Sequence, residues 1–257
     1  MNSTKTPAQL VDRALILGVL AFRSRFEGAR LVGGANFDSD MAAAMASGVT
    51  DWLRDAGVGE ALVAEERALL AQPALTWTRN VVVVLQAAGL EESLGAILFA
   101  LGALDRLPSY DSPTDHEHVV RILPFLSDSP FVTREGMAPR EEYMSMRNGV
   151  TPIARARIEE EERRAGLWFW RARSRSLVSA GHLERAELEV ILAQGASASR
   201  ALTIPVDERG EFLAEGTRYA DLDDRRFARC SMIAEARLRA LRWTLSDASW
   251  TDVDMST

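Results

Sequence analysis

The stretch from Trp77 to Asp111, WTRNVVVVLQAAGLEESLGAILFALGALDRLPSYD, holds the densest apolar run of the chain and constrains its fold more than any other feature. Its second half, Glu91–Leu107, carries helical spacing and is closed by Pro108. Glu91 and Glu92 split it into two apolar runs, each short of the roughly 20 residues that a bilayer span needs, so the stretch reads as a buried core segment. Within it Val81–Val84 is ambiguous: four consecutive β-branched residues favour a strand, whereas the flanking context favours a helix.

Upstream, Thr6-Pro7-Ala8-Gln9 has the form of a helix start, with a capping threonine, proline at the first helical position and glutamine three residues after the cap. The helix expected from there to about Phe22 is apolar on nearly every face, which predicts burial. Arg13 and Arg23 stand out on it. A buried guanidinium must find carboxylates or carbonyls, which makes both candidates for structural ion pairs. The plainer expectation is that their long stems carry the charges to the surface.

Further helices are expected from Asp38 or Ser39 to near Gly57, over Glu60–Leu70, from Thr151-Pro152 to Ala180, over Leu183–Gln194 with Gly195 as its stop, and from about Asp223 to Leu245. Loops are expected at Gly33-Gly34 and Asn36, and short helices and irregular chain around Pro124, Pro130 and Gly136. Glu159 with Arg163 and Glu160 with Arg164 are spaced for surface ion pairs. Residues 201–220 form the one credible β element, short strand-like pieces joined by turn residues. The expected fold class is therefore all-α with one small β-hairpin in the C-terminal third. It forms a single domain over 1–257, with a possible division into 1–110 and 111–257.

Composition narrows the function classes. With 257 residues and a net charge of −7, the chain has no overall positive field to draw phosphates, which argues against a general nucleic-acid binder. Cys230 is the only cysteine, which rules out an internal disulfide and suits a reducing cytoplasm; no signal-peptide pattern opens the chain. A cytoplasmic protein without membrane attachment is expected. Cys230 lies on the apolar stripe of the last helix and reads as a core residue. Neither a nucleophile elbow nor a phosphate-binding glycine fingerprint occurs.

Several segments, taken in order, resemble the bacterial domain-of-unknown-function family numbered 4272. They are Asp12-Arg13-Ala14-Leu15 leading to Ala21-Phe22-Arg23; Ala100-Leu101-Gly102 with Leu104 and Leu107-Pro108; Asp221-Leu222; Arg237, Ala240-Leu241 and Trp243; and Trp250-Thr251-Asp252-Val253-Asp254. The chain departs from the family's pattern at Gly89-Leu90-Glu91, which leaves Glu92 alone of the usual Trp-Arg-x-Glu, at Phe99, and at Ala236, Leu238 and Arg242. The resemblance implies a mostly helical fold and no activity.

The candidate chemistry is sparse. His116 and His118, within Asp115-His116-Glu117-His118, are candidate metal ligands, against the reading that Asp115 simply caps a helix. Asp252 and Asp254 beside Trp250 form an acidic tail, expected to dock on arginines such as Arg13, Arg171 or Arg237. Trp168-Phe169-Trp170 with the arginines after it reads as core packing beside a polar face.

Two functions follow as expectations. One is a non-enzymatic protein-binding module that presents an acidic surface to a partner of unknown identity, similar to toxin-neutralising immunity proteins by analogy alone. The other is a carboxylate-based or metal-assisted hydrolase using Glu92, Asp252 and Asp254. No cofactor is implied, and the oligomeric state is left open.

Overall fold

A computed structural model describes residues 5–33, 37–123 and 140–256. The fold is predominantly α-helical with one small hairpin. Helix α1 spans Pro7–Val32, α2 Ser39–Asp55, α3 Ala64–Leu70, α4 Arg79–Ala87 and α5 Leu90–Ala100. After these come α6 His116–Ile122, α7 Arg140–Gly149, α8 Arg155–Ser179, α9 Arg185–Ala201 and α10 Asp224–Leu245. Strands β1 (Leu213–Ala214) and β2 (Thr217–Arg218) pair antiparallel, Leu213 opposite Arg218 and Ala214 opposite Thr217. One hydrophobic cluster runs from Leu10 on α1 through Ile97 and Leu98 on α5 to Leu241 on α10, taking in residues from both sides of position 110.

The start of α1 follows its local chemistry: Thr6 accepts from Gln9 N, and the Gln9 side chain accepts from Thr6 N. The helix continues ten residues beyond Phe22, where Arg23, Ser24 and Glu27 are buried and Arg23 pairs with Glu27 one turn on. Val81–Val84 is helical, resolved by the Thr78 cap and by Val82 packing into the core.

Helix α5 ends earlier than the apolar run suggests, at Ala100 and not Leu107. Gly102 takes a φ of 75° and closes a Schellman motif, in which Ala103 N donates to Leu98 O and Gly102 N to Phe99 O. The Ala100 carbonyl just before it accepts from Ile153 N at 3.1 Å. That bond corrects a second expectation: Thr151-Pro152 does not open a helix but straps the end of α5, and α8 starts at Arg155.

Glu60–Leu70 divides into a 3-10 turn, Val58–Ala61, and α3. Gly195 does not stop α9, which continues to Ala201. Of the two surface pairs expected on α8, Glu160–Arg164 forms at 3.0 Å, whereas Glu159 pairs with Arg155 and Arg163 donates to the Glu159 carbonyl. The loop residues Gly34 and Asn36 and the breaks at Pro124, Pro130 and Gly136 lie outside the described residues. Taken as one run, Arg79–Ala100 is long and apolar enough to cross a membrane, but half of it is buried in the protein core. Left-handed Gly89 also breaks it between α4 and α5.

Candidate functional site

Glu92 sits at the centre of the molecule, where α5, α10 and the loop 108–114 meet. It accepts from Arg237 Nε at 2.9 Å, Thr114 N at 2.7 Å and Thr114 Oγ1 at 2.8 Å. Arg237, 0% exposed, spends its other hydrogens on carbonyls: Nη1 on Pro108 and Ser109, Nη2 on Ser112. Its guanidinium lies 4.9 Å from the ring centre of Tyr110, which stacks on Trp168. Tyr110 donates to Glu161 at 2.9 Å, and burial, reinforced by the Glu161 charge, pushes its phenol well above the usual range. Gly95 makes the loop's approach possible, since a Cβ there would meet Thr114 at 3.0 Å. All of this binds a loop to two helices, and Glu92 accepts three hydrogen bonds from them. Glu92 is a structural carboxylate.

The acidic tail is elsewhere. Asp252 accepts from the Ser249 and Thr251 hydroxyls, and Asp254 from Ser256 N and Oγ. They line one shallow cavity of about 380 Å³ with Glu162 and Arg242, whereas Glu92 lines a different one. The carboxylates proposed for hydrolysis are thus not gathered.

The tail is fastened differently from the expectation. Arg242 donates to the Asp254 and Ser256 carbonyls, and Trp250 packs on Trp243 and under the Arg13 guanidinium, 4.8 Å from its ring centre. Arg171 and Arg237 are occupied with Glu211 and Glu92.

Nor do Arg13 and Arg23 reach solvent; they are 3% and 1% exposed. Arg13 bonds Glu66 at 2.6 Å and the Ala61 carbonyl. Arg23 bonds Glu27 and the carbonyls of Leu70, Gln72 and Pro73, with its guanidinium 4.6 Å from the ring centre of Trp77. Burial lowers both guanidinium pKa values, and Glu66 and Glu27 oppose it. Glu27, fully buried, also accepts from Leu75 N and Trp77 N. Asp12 accepts from Tyr143 Oη and Arg147. These carboxylates went unrecognised in the sequence. Glu27 alone had a local signal, being four residues after Arg23 on the same helix.

His116 and His118 do not converge. His116 Nδ1 lies 2.8 Å from Glu91 Oε1, His118 is exposed, and Asp115 accepts from Glu117 N at the helix start. Among the described residues no group of three or more histidines, cysteines or carboxylates is placed to hold a metal ion. Burial pushes the Cys230 thiol up to about 11, which suits a core residue.

The feature of the surface that calls for a ligand is apolar. Helices α1, α4 and the start of α5 enclose a groove of about 670 Å³, lined by Ala21, Ala29, Val32, Val82, Val83 and Leu90. Val32, Val83 and the adjacent Val84 are 85%, 54% and 65% exposed. At the polar edge Glu91 bonds Arg25 at 3.0 Å as well as His116. Burial raises the Glu91 pKa, but these two partners outweigh it and hold the carboxyl below its ordinary value. Arg79, also at the groove, is exposed and meets no carboxylate among the described residues.

Compared with known proteins, the chain matches no protein-family model, no curated protein and no solved structure.

Proposed function

We propose that this protein is a non-enzymatic binding module whose partner is another protein, held in the groove between α1, α4 and α5. The observation that carries this reading is three strongly exposed valines beside a mostly apolar groove. Exposed apolar side chains that rim a groove are where a partner's apolar face can be buried. The acidic docking surface expected from composition is replaced in this reading by an apolar one with a basic edge. The partner it suits is an amphipathic helix: an apolar stripe for the valines, and a carboxylate for Arg79. Neutralisation of a toxic protein is one form that such binding would take. The kinship to family 4272 is part of the same proposal. Of the residues behind it, Arg13, Arg23 and Arg237 are buried in the interior, whereas Ala21 lines the groove.

The hydrolase reading has no comparable support, because Glu92 is committed to Arg237 and Thr114 and lies apart from the tail. The test is a photo-reactive side chain placed at Val83 in the full chain, inside cells that naturally contain it. The control position is Val190 on α9, also exposed. One adduct from position 83, absent from position 190 and lost when Val84 is changed to Asp, is the expected result. Equal capture from both positions, or none from position 83, overturns the reading.

A further inference from the structure

The groove between α1, α4 and α5 has a few polar side chains among its apolar ones, and most of them already have partners. Ser24 donates to the Ala21 carbonyl at 2.8 Å. Arg25 bonds Glu91 at 3.0 Å, and Glu91 also meets His116. Glu92 is committed to Arg237 and Thr114. Two polar members remain, both on α4. Arg79 and Gln86 are exposed, and neither side chain makes a hydrogen bond or ion pair among the described residues.

Gln86 reaches across the groove because Gly28 faces it. A Cβ at Gly28 on α1 would meet Gln86 Nε2 at 3.2 Å and Val82 Cγ1 at 3.5 Å, so the carboxamide lies close against the opposite helix. Arg79, Val83 and Gln86 fall at i, i+4 and i+7 and share one face of α4. The two polar groups are therefore about 10 Å apart along the helix axis, with an exposed valine between them. Arg25, Ala29 and Val32 repeat that spacing on the α1 wall. A helix laid between such walls meets them with side chains at the same spacing.

Water satisfies the Gln86 amide while the groove is open, and an occupant that covers the groove removes that water. The amide has two N–H donors and an acceptor oxygen to satisfy. An occupant that offers it only apolar atoms loses the cost of that desolvation from its binding free energy. We propose, resting on the reading that the groove holds a partner's amphipathic helix, that Gln86 decides which helix it accepts. The partner helix carries an amide or hydroxyl side chain opposite Gln86, a carboxylate two turns away opposite Arg79, and apolar residues between them. A helix with an unbroken leucine stripe binds less well, because it leaves the Gln86 amide covered and unmatched. One polar residue in an apolar seam also fixes register, since a shifted helix loses the match.

Isothermal titration of the full chain with synthetic capped peptides of about 18 residues, long enough to form a helix, tests this. Each peptide carries a leucine stripe at heptad spacing with one glutamate on it. About seven residues from the glutamate, the first peptide has glutamine and the second leucine. Both are made with the glutamate towards either end, which covers both directions along the groove. The glutamine peptide is expected to bind the unaltered chain about tenfold more tightly than the leucine peptide. Gln86→Leu is a suitable variant, because the side chain is exposed and holds no other residue. In it the preference reverses, and the leucine peptide binds about tenfold more tightly. A leucine peptide that binds the unaltered chain as well as the glutamine peptide overturns the proposal and leaves the groove reading standing. So does a preference for glutamine that survives in Gln86→Leu. Binding of none of the peptides overturns both.

Discussion

Two of the buried arginine–glutamate pairs in this molecule differ in what they leave over. Arg237 with Glu92 and Arg171 with Glu211 are nearly identical as pairs, each arginine at most 1% exposed and each contact near 2.8 Å. Around the first, the carbonyls of Pro108, Ser109 and Ser112 and the N–H and hydroxyl of Thr114 complete the set. Around the second, Glu211 also accepts from Phe212 N, whereas Arg171 Nη1 has no hydrogen-bond partner among the described residues, its guanidinium lying 5.1 Å from the ring centre of Tyr219. A network extended onto a loop fixes that loop between two helices; one confined to the pair does not. Burial of a charge is therefore no sign of function by itself. The remaining hydrogen-bond capacity is the informative quantity.

The largest expected effect breaks the satisfied network. Glu92→Ala leaves Arg237 buried without a counter-charge and should cost about 3–5 kcal/mol in denaturant unfolding. The comparison sharpens when whole pairs are replaced by apolar residues. Arg171→Met with Glu211→Leu should cost about 1 kcal/mol, since beyond the pair only the Phe212 amide loses its partner. Arg237→Met with Glu92→Leu should cost about 3 kcal/mol, because carbonyls and an amide lose their partners too. Equal costs for the two double variants would erase the distinction drawn here.

A smaller effect reaches the same network through packing. Gly95→Ala places a methyl group against Thr114, and loosening that residue should cost about 1–3 kcal/mol, measured by the same unfolding curves. Gly195→Ala, where a Cβ meets nothing within 4 Å, is the neutral control.

The smallest effect belongs to Glu91 at the groove, paired with half-exposed Arg25 and with His116. Its folded pKa is held below its ordinary value of 4.5, so its stabilising contribution is full above that value. The contribution is lost as pH falls through the depressed folded pKa. Exposure limits it to about 1 kcal/mol or less. Melting temperatures of the unaltered chain and Glu91→Gln should differ at neutral pH and converge as pH falls through the depressed folded pKa, below the ordinary value of 4.5. A gap that widens on acidification would contradict the assignment.

Much of the secondary structure was legible because its causes are local. Thr6 with Gln9, the Asp38 cap of α2 and the Asp223 cap of α10 mark three helix starts through hydrogen bonds within a single turn. The errors arose where a distant segment intervened. Thr151-Pro152 has the chemistry of a helix start, yet Ile153 is drawn out to bond Ala100, some fifty residues away. The end of α5 was overestimated for a different reason. The apolar run continues through Leu107, but left-handed Gly102 had already turned the chain.

The site shows the same division. That Arg13 and Arg23 lie on a helix apolar all round was visible in the sequence, as was the position of Glu92 within an apolar run. Arg13's partner Glu66 is 53 positions away, Arg171's partner Glu211 is 40, and Arg237 reaches Glu92 across 145. No periodicity encodes such separations. Periodicity, caps and turn residues act within a turn or two of chain, and by themselves they determined a helical protein with one hairpin and a buried centre in α5. Tertiary packing decided which buried charges are satisfied, that Glu92 and the acidic tail stand apart, and where a groove and an unpaired guanidinium remain. The reason is physical: hydrogen bonds between buried charges form only where the fold brings distant carboxylates within about 3 Å.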